Sequence, residues 1–192
     1  MTTACVLVRN REVFTWLGHM PVLNWCLEQL LEVRGLEAIH CCVAPELVPQ
    51  TKKLLTRSEI GITEIPAKVN KTDQDVTRWL HTEGPARTAS RVLLIVPTVP
   101  FMPAAKIEAC VDAVNRGKHS LAMPARTTKV VMDFSKSFVK ALPSVISSVR
   151  AMRTDLSEHT LHTVEVGLIE SLDVRDADNL QLVQAMVSAG TV

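Results

Sequence analysis

The 192-residue chain is 47% apolar, enough material for one hydrophobic core, so a single domain spanning residues 1–192 is the economical expectation. Lys and Arg number 21 against 20 Asp and Glu, a formal net charge of +1, and no long-range field draws in nucleic acid or an acidic membrane surface. Aromatic residues make up only 4%, with no Tyr, which leaves few side chains to stack unpaired bases.

In chain order, Ala4 to Val8 is apolar without alternation, the pattern of a strand covered on both faces. Pro21 then opens a helix in which Leu23, Cys26, Leu27, Leu30 and Leu31 recur at helical spacing, with Gly35 as its stop. Ile39 to Ala44 reads as a strand, Pro49 to Arg57 as a helix with Lys52 and Lys53 on its wet face, and Ile62 to Ile65 as a short strand. Thr72 followed by Asp75 predicts a capped helix start, with the helix running through Trp79 and Leu80. Val92 to Val96 is the clearest strand and ends in the rigid turn Pro97-Thr98-Val99-Pro100. Pro103 starts a helix whose Ile107, Cys110, Val111 and Val114 face inward, and Gly117 is its C-terminal stop.

Ser120 to Met123 and Lys129 to Phe134 are strand candidates separated by a polar turn at Arg126, Thr127 and Thr128. Lys136 to Arg153 has a helical pattern interrupted at Pro143, Thr163 to Leu168 a strand pattern, and Asp176 to Ala189 that of a closing helix. This alternation predicts an α/β fold of three layers, α/β/α, around a mainly parallel mixed sheet.

The five cysteines, Cys5, Cys26, Cys41, Cys42 and Cys110, sit in apolar runs and read as reduced core thiols, which places the protein in the cytoplasm. The N-terminal segment reads as no secretory leader. The longest apolar stretch, Val92 to Ala105, is too short to span a bilayer and is broken by prolines, so no membrane role is expected.

All seven glycines stand apart, so neither a GxGxxG nor a Walker A phosphate loop can be built. His159 and His162 could share a helical turn, but without neighbouring Cys or carboxylates a solvated loop is the better account than a metal site. His40, Cys41 and Cys42 are consecutive on a strand, where neighbours point to opposite faces and cannot chelate together.

Three segments, in order, resemble the cytidylyltransferases that activate sialic acid and related keto-deoxy sugars, within the sugar-nucleotide transferase superfamily. Gly18-His19-Met20-Pro21-Val22-Leu23 is similar to that family's lead into its first helix. The run Val92 to Pro100, VLLIVPTVP, is similar to its apolar strand ending in a Pro-Thr turn. Glu170 to Leu180, ESLDVRDADNL, is similar to its late acidic turn into a helix, with Leu180, Leu182, Val183 and Met186 as the packing pattern.

The resemblance implies a nucleotide-diphospho-sugar transferase-like fold and a reaction in which CTP and a keto-deoxy sugar acid yield a CMP-sugar and pyrophosphate, with Mg²⁺ as cofactor. By position it implies Arg9 and Arg11 as nucleotide contacts, Thr98 as a substrate contact and Asp173 as a metal ligand, with Asp176 able to turn in as the replacement for the second acid. It also implies a homodimer built through an arm near the late strands, the region that the helical pattern here occupies from Met132 to Leu161.

The residues allow other accounts. Thr98 satisfies a turn equally well, and Asp176 and Asp178 suit a helix N-terminus without any metal. Arg9 to Leu17, nine residues without glycine, stand where the family has its Gly-rich triphosphate loop. Arg175 falls on the second acid of the family's D-x-D pair, where it repels a metal ion or touches phosphate directly. Two functions therefore stay open: a cytidylyltransferase of weakened or lost activity, and a non-catalytic nucleotide-sugar-binding or protein-interaction member of the same fold.

Overall fold

The computed structural model describes residues 2–117, 119–133, 138–146, 148–153 and 160–191. Strand β1 (Thr2–Val8) is buried at all seven positions, as its unbroken apolar run requires. Its even-numbered residues Ala4, Val6 and Val8 face one core, and Cys5 and Leu7 face the other. A 3₁₀ turn at Arg11–Phe14 leads to a small hairpin of β2 (Trp16–Leu17) and β3 (Met20–Pro21), which the sequence patterns do not announce. Helix α1 (Val22–Leu31) follows, buries Leu23, Leu27 and Leu30, and ends short of Gly35.

Strand β4 (Ala38–Val43), helix α2 (Val48–Leu54) and strand β5 (Ile60–Glu64) come next, each within a few residues of its expected bounds. Helix α3 (Asp73–Thr82) starts at Thr72, whose hydroxyl oxygen accepts from the Asp75 N–H at 3.1 Å and donates to the Asp75 carboxylate at 2.7 Å. Strand β6 (Arg91–Ile95) leads into the Pro97–Pro100 turn, and helix α4 (Ala104–Asn115) buries Ile107, Cys110, Val111 and Val114. Gly117, at φ +75°, closes that helix in the left-handed conformation.

The region from 120 to 153 departs from expectation twice. Leu121–Asp133 is one continuous strand, β7, with only a register irregularity between Thr127 and Lys129 where a turn was expected. The helix expected from Lys136 to Arg153 is instead two strands, β8 (Phe138–Val145) and β9 (Val149–Arg153), with 136, 137 and 147 outside the described residues. Apolar residues four apart share one face of a helix and one face of a strand alike, so over short runs periodicity alone does not separate the two states. Pairing decides: β8 lies against β7 and β9 against both β6 and β7. Pro143 sits opposite Thr127, where the register slips, on a strand paired on one side only; that is where a strand tolerates proline. Strand β10 (Leu161–Glu165) starts earlier than expected, and helix α5 (Ala177–Ser188) closes the fold.

The sheet runs β10-β7-β9-β6-β1-β4-β5, with β8 pairing β7 off this path. Strands β5, β4, β1 and β6 pair parallel; β9 runs antiparallel between β6 and β7, which returns β7 and β10 to the common direction. Helices α1, α2 and α4 cover one face, and Val76, Trp79 and Leu80 of α3 cover the other. The result is a three-layer α/β/α arrangement around a mostly parallel sheet. A third cluster joins Leu17 and Val22 to Leu172, Val174 and Val183, so the β2–β3 hairpin packs on α5. Leu182, expected in that packing pattern, is instead 45% exposed. All five cysteines are buried free thiols, and burial pushes Cys26, Cys41 and Cys110 up to about 12. Among the described residues no helix is long and apolar enough to cross a membrane.

Two half-buried histidines, His40 on β4 and His81 at the end of α3, carry a buried Nδ1 without a hydrogen-bond partner among the described residues. Burial lowers both pKa values from 6.5, so the unfolded chain takes up protons first as pH falls. Stability is therefore complete above about pH 6.5 and declines below it, down to the folded-state values. Thermal unfolding followed from pH 8 to pH 5 should show a flat midpoint above about 7 and a falling one beneath, with a shallower fall in His40→Gln. A midpoint equal at pH 7.5 and pH 5.5 in the wild type would refute this.

Candidate functional site

In an open parallel sheet, ligands settle beyond the C-terminal strand ends where the connections reverse direction. Here that point lies between β1 and β6, because the chain runs outward through β4 and β5 on one side of β1 and returns to place β6 on the other. A cavity of about 240 Å³ opens at this place, lined by Leu7, Arg9, Asn10, Val13, Val96, Thr98 and Arg175. Two guanidinium side chains and no carboxylate contribute to that lining, so the cavity suits an anion. A larger groove of about 470 Å³ lies between α4 and β10, with the rings of His119 and His162 4.8 Å apart; its lining shares no residue with this cavity.

Arg9 follows directly on β1, and its Nε donates to the Asn70 side-chain oxygen at 2.8 Å. Asn70 belongs to the turn after β5 that starts at Pro66, so a loop 61 residues away steadies the guanidinium. Arg11 lies two residues further on, in the exposed 3₁₀ turn, and does not line the cavity. Thr98 is fully buried at the Pro-rich turn after β6. Its carbonyl accepts from the Val174 N–H at 2.9 Å, and its hydroxyl lies 3.4 Å from that of the buried Ser148. The same Ser148 carbonyl accepts from Val96 N–H at 2.7 Å, which ties the turn before β9 to the end of β6.

Asp173 and Arg175 complete the group. Arg175 Nε donates to both Asp173 carboxylate oxygens, at 3.0 and 3.1 Å, and Arg175 Nη2 donates to Asp173 Oδ2. The Arg175 backbone N–H adds a further bond to Asp173 Oδ1 at 3.0 Å, and Ser148 Oγ donates to Oδ2 at 3.4 Å. Burial by itself would raise the Asp173 pKa, but the Arg175 hydrogen bonds and charge outweigh it and hold the carboxyl below its ordinary value. The carboxylate is thus ionised at neutral pH and committed to Arg175. With the Arg175 side chain 47% exposed, the pair adds little stability, and its consequence is the placement of the guanidinium.

Asp176 is occupied differently. Its Oδ1 accepts from the backbone N–H groups of Asp178 and Asn179, both at 3.0 Å, which caps α5. The structure therefore brings Arg9, Thr98, Asp173 and Arg175 to one end of the sheet, beyond β1 and β6, with Asp173 behind Arg175, and leaves Arg11 and Asp176 outside the cavity lining.

A divalent ion needs several anionic or carbonyl oxygens turned toward it. Asp173 is engaged by a cation, Asp176 by a helix start, and no group of three His, Cys, Asp or Glu side chains gathers among the described residues. At a separation of 4 Å, each pair of like unit charges near a protein surface costs about 4 kcal/mol, and a dication beside Arg175 doubles that. As folded, these residues do not fit a resident Mg²⁺. His159, weighed earlier with His162, lies outside the described residues.

Three contributors escaped the sequence reading: Asn10, Asn70 and Ser148. Asn10 carried one usable signal, its place just beyond a strand end in an α/β alternation. Asn70 and Ser148 carried none, since only folding brings them near Arg9 and Asp173.

No protein-family model and no curated protein matches the sequence. The 4-diphosphocytidyl-2C-methyl-D-erythritol synthase of Anaerococcus prevotii superposes with a TM-score of 0.73 at 12% identity, covering 97% of this chain and 96% of that one. A CMP:2-keto-3-deoxy-manno-octonic acid synthetase, solved in complex with CTP, gives 0.72 at 10% identity over 98% and 99% of the two chains. The Rv0371C protein of Mycobacterium tuberculosis, solved with manganese, gives 0.68 at 13% identity over 96% and 97%. Two synthases whose names carry the cytidyl or CMP group and one protein solved with manganese thus share this chain's fold over nearly its whole length, a cytidylyltransferase-like nucleotidyltransferase fold.

Proposed function

We propose that this protein binds a nucleotide, CTP in the first place, with its phosphates against Arg9 and Arg175 and a keto-deoxy sugar acid as the second ligand beside Thr98. The single observation that carries the reading is the cavity at the β1/β6 switch point, lined by two guanidinium side chains and no carboxylate. The likeness of the fold to a synthetase solved with CTP supports the choice of nucleotide. Arg11, exposed on the turn beyond Arg9, contacts the distal phosphates in this reading.

Transfer of the cytidylyl group is weak or lost. The turn after β1 has no glycine between Arg9 and Leu17 and so lacks the close backbone N–H cradle that positions a triphosphate. Mg²⁺ enters only as the counter-ion that CTP brings with it. The protein acts in the cytoplasm, a setting supported by five reduced thiols, and forms a homodimer, supported by the β7–β8 ribbon, whose second strand stands where a helix was expected.

Calorimetric titration with CTP, CDP, CMP and a purine control tests the reading. CTP should bind, and Arg9→Ala should weaken it about tenfold or more, the scale of a lost hydrogen bond to a charged group. Pyrophosphate release from CTP with a panel of keto-deoxy sugar acids should stay far below enzymatic rates. If none of the nucleotides bound, the assignment would fail; if release ran at enzymatic rates, the loss of transfer would be wrong.

A further inference from the structure

The residues that would face a metal ion here are turned to another purpose. Asp173 has both carboxylate oxygens on the Arg175 fork, Ser148 behind one of them, and its backbone carbonyl held by the Asn179 side chain at 3.2 Å. Arg175 in turn reaches the cavity that Arg9, Asn10 and Thr98 also line. Its planar fork is therefore positioned before any ligand arrives, and ordering it costs a ligand little.

We propose that this cavity binds phosphate groups without a resident metal ion, with the Arg175 guanidinium in the place of the cation and Asp173 holding it there. The inference rests on the nucleotide-binding reading above and goes further, since it changes what neutralises the phosphates. A guanidinium carries five N–H donors in one plane, so it can hold a carboxylate along its Nε–Nη2 side, as Arg175 holds Asp173, and still direct other donors at a phosphate oxygen, supplying both charge and direction. A divalent ion would have to break the Arg175–Asp173 pair and then share the site with the released cation. Asp173 is a positioning residue here, because it acts on the ligand only through Arg175.

The test is titration of the full chain with CTP and, separately, with inorganic pyrophosphate, in EDTA and in excess Mg²⁺ or Mn²⁺. Affinity in EDTA should lie within about threefold of that with metal. Arg175→Ala should lose about tenfold or more under both conditions, and Arg175→Lys should recover part of that loss. Circular dichroism and thermal melting of each variant confirm that the fold is retained. Binding by the wild type that appears only with Mg²⁺ or Mn²⁺ would overturn the metal-free site and leave the nucleotide reading standing. An unchanged affinity in Arg175→Ala would equally overturn it, and an absence of binding under every condition would remove the nucleotide reading itself.

Discussion

Replacing Gly18 by Ala is expected to destabilise the protein by about 2–4 kcal/mol, from a left-handed backbone and an overfilled contact acting together. Gly18 sits in the turn between β2 and β3 at φ +63°, a conformation that costs an L-residue with a Cβ about 1–2 kcal/mol. A Cβ there would lie 2.5 Å from Val187 Cγ1 on α5, well inside van der Waals contact. Either Val187 leaves its rotamer or the hairpin shifts against α5, and both disturb the packing of Leu17 and Val22 on that helix. Urea denaturation of Gly18→Ala, Val187→Ala and the double variant separates the two costs. The double variant should be more stable than the sum of the singles predicts, because truncating Val187 removes the clash and leaves only the backbone term. A midpoint for Gly18→Ala equal to that of the wild type would show that the close packing is wrong.

The other large effect belongs to the centre of the sheet. Leu93→Ala should cost about 2–5 kcal/mol, because Leu93 is fully buried on β6 between β1 and β9 and the layers around it relax only partly into the cavity left. Against a typical domain stability of about 5–15 kcal/mol, such a loss takes a large share. Leu182→Ala is the matched comparison. Leu182 is 45% exposed on α5 and should cost well under 1 kcal/mol, although the sequence pattern ranks it with the packing residues. Equal losses for the two variants would mean that α5 packs the other way round.

These effects converge on one functional consequence. Arg175 is placed by a chain of contacts that begins at Thr98, whose carbonyl holds Val174, and ends at Asp173, which grips the guanidinium. Ser148 connects the two ends, with its hydroxyl 3.4 Å from both the Thr98 hydroxyl and Asp173 Oδ2. Changes that loosen β6 or shift α5 should therefore weaken the proposed phosphate binding as well as stability, through the position of one side chain.

By itself the sequence determined the layers. The runs that became β1 and β6 are apolar without alternation because both of their faces are covered, and α4 repeats its apolar residues at helical spacing because one face is; each pattern records a local relation between residue and solvent. The Asp75 cap at Thr72, the Gly117 stop and the Asp176 cap were likewise legible, since each satisfies backbone groups only a few residues away. Tertiary structure alone decided the rest. From Lys136 to Arg153 the local pattern served helix and strand alike, and pairing with β6 and β7, remote in the chain, selected the strands. The site shows the same division: Arg9, Thr98 and Asp173 stood out by position along the chain, but the partners that orient them, Asn70 and Ser148, lie 61 and 25 residues from Arg9 and Asp173, where no local signal reaches and only the closed sheet brings them together.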